Sequence, residues 1–251
     1  MQGLATSLVL GVSLAVVACA PIPVEREVEA SSGELAQRSS QVPNPDTLLD
    51  RALQRTQIQD WEGAIANLQG AADGFAEQGD ETRQAMAEAI VRYFDWWLGW
   101  TERQRQLAEP EMMPDWISFG RCLADETGHI CGYSLQFVQS EDDGIEGVLL
   151  LQNHLEDVPM AAGGSYAVFG ILAAEAVSPP LQAGESWVPS CERLDGESPP
   201  MMAIVQTRGY EDSDEYPEIR EVWWANLEEK SLESEMSPGN IRCFNPCPGG
   251  C

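Results

Sequence analysis

The chain has 251 residues, of which 41 are acidic and 14 are basic, so its formal net charge at pH 7 is −27. A surface this acidic repels phosphates, which excludes nucleic acid as a partner. Residues 110–251 carry −19 of this charge and residues 46–109 carry −6. The carboxy-terminal part is therefore expected to respond more strongly to salt.

The amino-terminal segment contains an apolar run that begins at Leu8 and ends in Val16-Val17-Ala18-Cys19. The run is too short to span a bilayer but suits a signal peptide. Its end resembles the lipobox of bacterial lipoproteins. The resemblance implies that residues 1–18 are removed, that Cys19 carries acyl chains such as palmitate, and that the protein goes to the outer membrane, because no Asp follows the cysteine. The alternatives are simple secretion after cleavage behind Ala20 and a cytoplasmic location.

Residues 19–45 combine the lipidated cysteine with a stretch rich in Pro, Ser, Glu and Gln. This composition predicts a disordered tether, because it offers few large apolar side chains to bury. The membrane would then be contacted through the lipid anchor alone.

Residues 46–109 are predicted to be helical. Apolar side chains recur at three- and four-residue steps, and Asp46 and Asp60 are suited to cap the first two helices. The stretch around Asp60-Trp61-Glu62-Gly63-Ala64-Ile65 resembles the second part of a tetratricopeptide repeat. Such repeats need about three neighbours to bury a continuous core, so a single unit is better described as a helical hairpin.

A third helix is predicted from about Asp80 to Ala108. Its apolar stripe includes Trp96, Trp97 and Trp100. Packing in the core is the favoured interpretation, because aromatic residues at helical spacing usually pack there. A candidate aromatic binding surface for sugar rings, such as those of peptidoglycan, is the alternative.

Residues 110–251 change to a period of two and predict a mainly antiparallel β region. Cys131 to Phe137 and Ile145 to Gln152 form a predicted hairpin around Asp142-Asp143-Gly144. Three further strands are expected, over residues 166–172, 201–207 and 219–227. Helices followed by strands indicate an α+β fold, in one domain or two.

Seven cysteines are present, and lipidation of Cys19 leaves six for three disulfides in an oxidising periplasm. Pairing between cysteines that flank short turns is expected, although the sequence permits other connectivities. The expected pairs are Cys122 with Cys131, Cys191 with Cys243, and Cys247 with Cys251. The alternative is a metal site built from Cys243, Cys247 and Cys251 with His129 or His154, which we disfavour because structural zinc sites use closer ligand pairs. We therefore expect no metal.

Acidic runs such as Glu141-Asp142-Asp143-Gly144 and Glu211 to Glu215 lack the ligand spacing of a calcium loop. They indicate a solvated face, an adaptation to a saline source, or a surface for a basic partner.

The sequence contains neither a Gly-x-Ser-x-Gly elbow nor a glycine-rich phosphate motif, and its only histidines are His129 and His154. We expect no cofactor and no catalytic residues. The expected function is a non-enzymatic envelope lipoprotein that binds or scaffolds a protein partner. The alternative is an envelope protein that binds or hydrolyses peptidoglycan or other glycans, with Trp223 and Trp224 exposed beside carboxylates.

Overall fold

The computed structural model describes residues 43–106, 120–125, 127–128, 131–139, 147–179, 181–195, 201–236 and 238–246. They all belong to one unit, which spans Val42–Cys251. The fold is α+β, as predicted, with three helices followed by antiparallel sheets that two disulfides staple. The predicted signal peptide, the lipidated Cys19 and almost all of the tether lie outside the described residues.

Helix α1 spans Pro45–Thr56 and begins one residue earlier than predicted. Its cap is Asn44, whose side chain accepts a hydrogen bond from the backbone nitrogen of Asp46 at 2.9 Å. The prediction that Asp46 caps this helix was wrong. Pro45 takes the first helical position, where its missing N–H is no loss, so the cap must precede the proline.

Helices α2 and α3 begin where the sequence predicted, because Asp60 and Asp80 each accept a hydrogen bond from the third following backbone N–H. Gly79, with a φ of 72°, ends α2 in the left-handed conformation that glycine adopts readily. Helix α3 ends at Gln104, before the predicted Ala108. The bounds are Trp61–Gln78 for α2 and Glu81–Gln104 for α3.

Eleven strands occur among the described residues, and they form three antiparallel sheets. The strands are β1 Arg121–Leu123, β2 Tyr133–Gln139, β3 Gly147–Pro159, β4 Ser165–Val177, β5 Glu185–Val188, β6 Cys191–Arg193, β7 Met201–Gln206, β8 Glu215–Tyr216, β9 Ile219–Asn226, β10 Ser231–Met236 and β11 Ile241–Phe244. Sheet A has the order β1-β2-β3-β4, sheet B has β10-β9-β7-β5, and sheet C has β6-β11-β8.

The helices and sheets are stacked in four layers. One apolar cluster, which includes Phe94 and Leu150, fills the space between the helices and sheet A. A second cluster, with Leu149 and Ile204, lies between sheets A and B. A third, with Val205, lies between sheets B and C. The layer order is therefore helices, sheet A, sheet B and sheet C.

This layering explains two uninterrupted apolar runs in the sequence. Residues 148–151 and 201–205 are all buried, although neighbouring residues of a strand point to opposite faces. Sheets A and B are covered on both faces at these positions, so both sets of side chains must be apolar.

The edge strands of sheet A lie next to the edge strands of sheet B. At one edge, Arg121 Nη1 on β1 donates to the carbonyl oxygen of Pro189 after β5 at 2.9 Å. The rings of Phe137 and Trp187 are 4.6 Å apart between the sheets. At the other edge, β4 lies close to β10. The two edges of this sandwich are therefore β1 with β5, and β4 with β10.

The predicted hairpin is present as the pair β2 and β3, although its turn lies outside the described residues. The other three predicted strands correspond to β4, β7 and β9. Strands β3 and β4 are longer than expected and pair along their length with two register shifts, between Leu151 and Gln152 and between His154 and Glu156.

Candidate functional site

The tryptophans of the candidate aromatic surface lie mainly in the core. Trp97 and Trp100 are 9% and 8% exposed and belong to the cluster between the helices and sheet A. Trp96 packs against the same cluster, and its ring stacks on Trp100 with centroids 5.8 Å apart. The core interpretation is therefore confirmed for Trp97 and Trp100.

The tryptophan pair on β9 divides between the two faces of sheet B. Trp223 is buried between sheets A and B, whereas Trp224 packs on the side of sheet C and is only partly buried. Trp224 Nε1 donates to Glu233 Oε2 on β10 at 3.2 Å. Asn226 Nδ2 donates to the other oxygen of Glu233 at 2.9 Å. These two neutral donors hold the Glu233 carboxylate against sheet B.

Two of the three predicted disulfides are present in the described residues. Cys122 on β1 is bonded to Cys131, which lies shortly before β2, and this bond closes the edge of sheet A. Cys191 on β6 is bonded to Cys243, directly opposite on β11. The predicted bond between Cys247 and Cys251 lies outside the described residues.

The alternative metal site that included Cys243 is wrong, because the sulfur of Cys243 is bonded to Cys191 and is not a thiolate that could bind a metal. His154 Nε2 lies 3.2 Å from Asp157 Oδ1 instead, and His129 lies outside the described residues. In the described ranges, no three His, Cys, Asp or Glu side chains are grouped so that they could hold a metal ion.

A surface cleft of about 650 Å³ lies beside strands β5 and β9, and we call it the Arg220 cleft. Arg220 Nη1 donates to Glu185 Oε2 at 2.5 Å, and the two side chains are only 13% and 10% exposed. The backbone nitrogen of Gln182 also donates to Glu185 at 2.8 Å. Arg220 and Glu185 thus neutralise each other on the cleft wall. Its lining residues are Gln182, Glu185, Gln206, Glu218, Ile219 and Arg220 among others.

A second cleft, of about 540 Å³, is lined by one cysteine of each described disulfide, Cys122 and Cys191. Phe244 forms part of its wall, and the Arg242 guanidinium lies 4.9 Å from the centroid of that ring. Arg242 also pairs with Glu192 at 2.5 Å. The charged groups here join strands of sheet C to one another.

A buried polar group lies between α3 and sheet A. The Tyr93 hydroxyl donates to Gln136 Oε1 and accepts from Gln152 Nε2, both at 3.3 Å. Burial raises the pKa of Tyr93 to about 12, although the hydrogen bond from Gln152 lowers it somewhat. This tyrosine is therefore held neutral as a bridge between two layers.

Glu221 is a carboxyl group buried inside sheet B. It is 4% exposed and lies between Ile204 and Met236 on the neighbouring strands. Burial has the largest effect on Glu221 and raises the pKa of its carboxyl group. The nearby side chains of Trp223, Arg220 and Ser234 lower this pKa, but by less. Within the described residues, its Oε2 atom has no hydrogen-bond partner. This group costs stability when it is charged.

Strand β10 forms an acidic edge of sheet B. It pairs with β9 on one side, from Ser231 opposite Asn226 to Met236 opposite Glu221. On its other side, no strand of the described residues pairs with it. Ser234, Glu235 and Met236 are exposed, and Met236 is 56% exposed. An edge strand with these properties presents unpaired backbone groups beside carboxylates.

The neighbouring edge strand, β4, is covered at one point by α1. Thr56 Oγ1 accepts a hydrogen bond from the backbone nitrogen of Ile171 at 2.8 Å, and Gln57 Nε2 donates to the Ile171 carbonyl oxygen at 2.8 Å. Both backbone groups of Ile171 are thus satisfied where a pairing strand would otherwise supply the partners.

Neither Glu233 nor the pair formed by Arg220 and Glu185 was predicted from the sequence. A signal for Glu233 exists in residues 231–236, where glutamates at alternate positions predict a strand with one acidic face. The partners Glu185 and Arg220 are separated by 35 residues, and nothing local connects them.

Comparisons with protein-family models, with curated proteins and with solved structures find no significant match. In the described part of the chain, no helix combines the length and the apolar character needed to cross a membrane.

Proposed function

We propose that the protein is an envelope lipoprotein, anchored in the bacterial outer membrane and facing the periplasm, that binds or scaffolds a protein partner without catalysing a reaction. The lipobox-like Val16 to Cys19 supports the anchor. The two described disulfides support an oxidising compartment, because such bonds persist there.

The observation that carries the binding role is the acidic edge of sheet B. Among the described residues no strand pairs with the outer side of β10, its residues Ser234 to Met236 are exposed, and Glu233 and Glu235 lie on one face. In the Arg220 cleft, by contrast, the charges of Arg220 and Glu185 form an ion pair with each other. The edge therefore offers a partner more unsatisfied hydrogen-bonding capacity and charge than this cleft does.

The alternative function, binding or hydrolysis of peptidoglycan or another glycan, now depends on Trp224. Sugar rings stack on exposed aromatic faces, and Trp224 is a partly exposed ring that is hydrogen-bonded to a carboxylate, Glu233. The deeper burial of Trp97, Trp100 and Trp223 favours the protein-binding role.

The binding role is tested by a pull-down from envelope extract at near-native salt. The full chain in mild detergent is the bait, and the captured material is identified by mass spectrometry. We expect one protein in stoichiometric amount. Enrichment of peptidoglycan fragments without a protein would contradict the proposal and favour the glycan alternative.

The anchor is tested separately by replacing Cys19 with Ser and following palmitate incorporation and membrane fractionation. We expect both to be lost. An Ala20→Asp variant is the matched control, because the lipoprotein resemblance implies that it keeps the lipid but remains at the inner membrane. Unchanged membrane attachment of the Cys19→Ser variant would contradict the anchor.

A further inference from the structure

We infer that β10 accepts a basic, extended segment of a partner protein, which adds to sheet B as a fifth strand beyond β10. This inference rests on the proposed binding function and specifies the chemistry of the partner. It concerns the outer side of Ser231–Met236.

The outer backbone groups of β10 have no pairing strand among the described residues. Alternate residues of an edge strand direct their N–H and C=O groups away from the sheet, where they can bind another strand. Strand β10 is the terminal strand of sheet B, and its second half, Ser234 to Met236, is exposed, whereas Ser231 to Glu233 are partly buried. The adjacent edge, β4, differs because Thr56 and Gln57 bind both backbone groups of Ile171.

The side chains of β10 alternate between an apolar face and an acidic face. Leu232 packs into the cluster between sheets A and B. Glu233 lies on the opposite face, where it binds Trp224 and Asn226. Because successive side chains point to opposite faces, Glu235 shares the face of Glu233, and Met236 shares the face of Leu232. A matching strand should therefore alternate basic and apolar residues.

The donors that bind Glu233 are the neutral side chains of Trp224 and Asn226, so its negative charge is not neutralised by them. Glu235, on the same face as Glu233, is exposed and adds a second carboxylate. A second copy of this strand would bring like charges together, whereas Lys or Arg on an incoming strand would pair with them.

The test uses the full chain in mild detergent and an acetylated, amidated octapeptide that alternates Lys and Val. We expect saturable binding, and we expect hydrogen exchange to slow in residues 231–236. A peptide of the same composition with four Lys followed by four Val is the charge-matched control. A version of the alternating peptide that is N-methylated at every second residue lacks the backbone N–H groups on the side that faces β10. It cannot donate hydrogen bonds to β10 and should therefore lose binding.

A Glu233→Gln, Glu235→Gln double variant should weaken binding of the alternating peptide at least tenfold. Gln at 233 keeps one acceptor oxygen, so it retains one of the two hydrogen bonds from Trp224 and Asn226, and circular dichroism will verify that the fold is retained. The matched control is Glu228→Gln with Glu229→Gln, which removes two charges from the turn between β9 and β10. This variant should change the affinity for the alternating peptide less than threefold.

Equal binding of the block peptide, or slowed exchange in a strand other than β10, would overturn the inference. Failure of the inference is distinguishable from failure of the proposed function. If the pull-down yields a stoichiometric protein partner that the double Gln variant binds equally well, the binding function stands and the β10 site is wrong.

Discussion

The hydroxyl of Thr56 accepts a hydrogen bond from the backbone nitrogen of Ile171 at 2.8 Å, although the two residues are 115 positions apart in sequence. The same hydroxyl lies 2.7 Å from the carbonyl oxygen of Leu53, to which it donates. Thr56 thus links the end of a helix to an edge strand. This position explains why a hydroxyl is buried completely at a helix end.

Replacement of Thr56 by Val, which has nearly the same shape, should lower the free energy of unfolding by about 1–3 kcal/mol, because the Ile171 N–H loses its acceptor. The matched control is Thr101→Val, since the Thr101 hydroxyl only donates to Leu98 within its own helix. Urea denaturation measures both variants. Equal losses in the two variants would contradict a specific role for the contact with β4.

Tyr93→Phe should destabilise the protein by about 1–2 kcal/mol at pH 7, because Gln152 and Gln136 lose their common partner in a buried site. Tyr133→Phe is the matched control, as Tyr133 is only partly buried. The measurement is again urea denaturation, and an effect of Tyr133→Phe as large as that of Tyr93→Phe would argue against the network.

The free energies of unfolding of the wild type and of Tyr93→Phe should also differ in their dependence on pH. The pKa of Tyr93 is about 12 in the folded protein, against an ordinary value of 10.0. The folded protein therefore keeps this proton when the unfolded chain loses it, so the stabilisation is complete below pH 10 and is lost as the pH rises to 12. Over this window, the wild type should lose about 1.4 kcal/mol per pH unit more than Tyr93→Phe. Parallel curves would show that Tyr93 titrates normally.

Glu221→Gln should gain stability relative to the wild type as the pH rises from 4 to 7. Burial raises the pKa of this carboxyl above its ordinary value of 4.5, so the folded protein holds the proton more tightly than the unfolded chain does. Ionisation therefore favours the unfolded state. The exposed Glu228→Gln is the control. The free energies of unfolding at several pH values decide the matter, and a constant difference between wild type and Glu221→Gln would refute the prediction.

Glu185→Gln should cost about 3–5 kcal/mol, because the largely buried charge of Arg220 loses its carboxylate. In contrast, Glu102→Gln removes the partner of Arg105 on an exposed helix surface and should cost at most about 1 kcal/mol. Thermal unfolding of the two variants provides the comparison. Similar small losses would mean that solvent screens the Arg220 pair.

Removal of the bond between Cys191 and Cys243 by double replacement with Ala should cost about 4 kcal/mol, because this bond joins residues 52 apart. The bond between Cys122 and Cys131 joins residues nine apart and should contribute about 2.5 kcal/mol on the same chain-entropy argument. Unfolding in urea without reductant tests this order. The reverse order would show that local packing outweighs chain entropy here.

The sequence predicted those features that depend on neighbouring residues. Helices α1 to α3 follow from their apolar spacing, and the strands β2, β3, β4, β7 and β9 follow from apolar runs. The pairing of Cys191 with Cys243 followed from pairing the other cysteines across short turns. Strand β10 was missed, because its acidic face carries no apolar signal, and the strands of two to four residues are too short to show a period.

The layer order could not be predicted, because it depends on contacts between distant segments. The buried run Met201 to Val205 is compatible with any strand that is covered on both faces. Only the pairing with β9 and β5 determines which of its residues meet sheet A and which meet sheet C. The contacts of Arg220 with Glu185 and of Thr56 with Ile171 could not be predicted for the same reason.

Strands of sheet B and strands of sheet C alternate along the chain, and this order determines when each sheet can form during synthesis. Strands β5, β7, β9 and β10 belong to sheet B, whereas β6, β8 and β11 belong to sheet C. The last described strand, β11, pairs with both other strands of sheet C and carries Cys243. A nascent chain that stops before Ile241 lacks the strand that joins β6 to β8, so sheet C can assemble over sheet B only after residues 241–244 have been made.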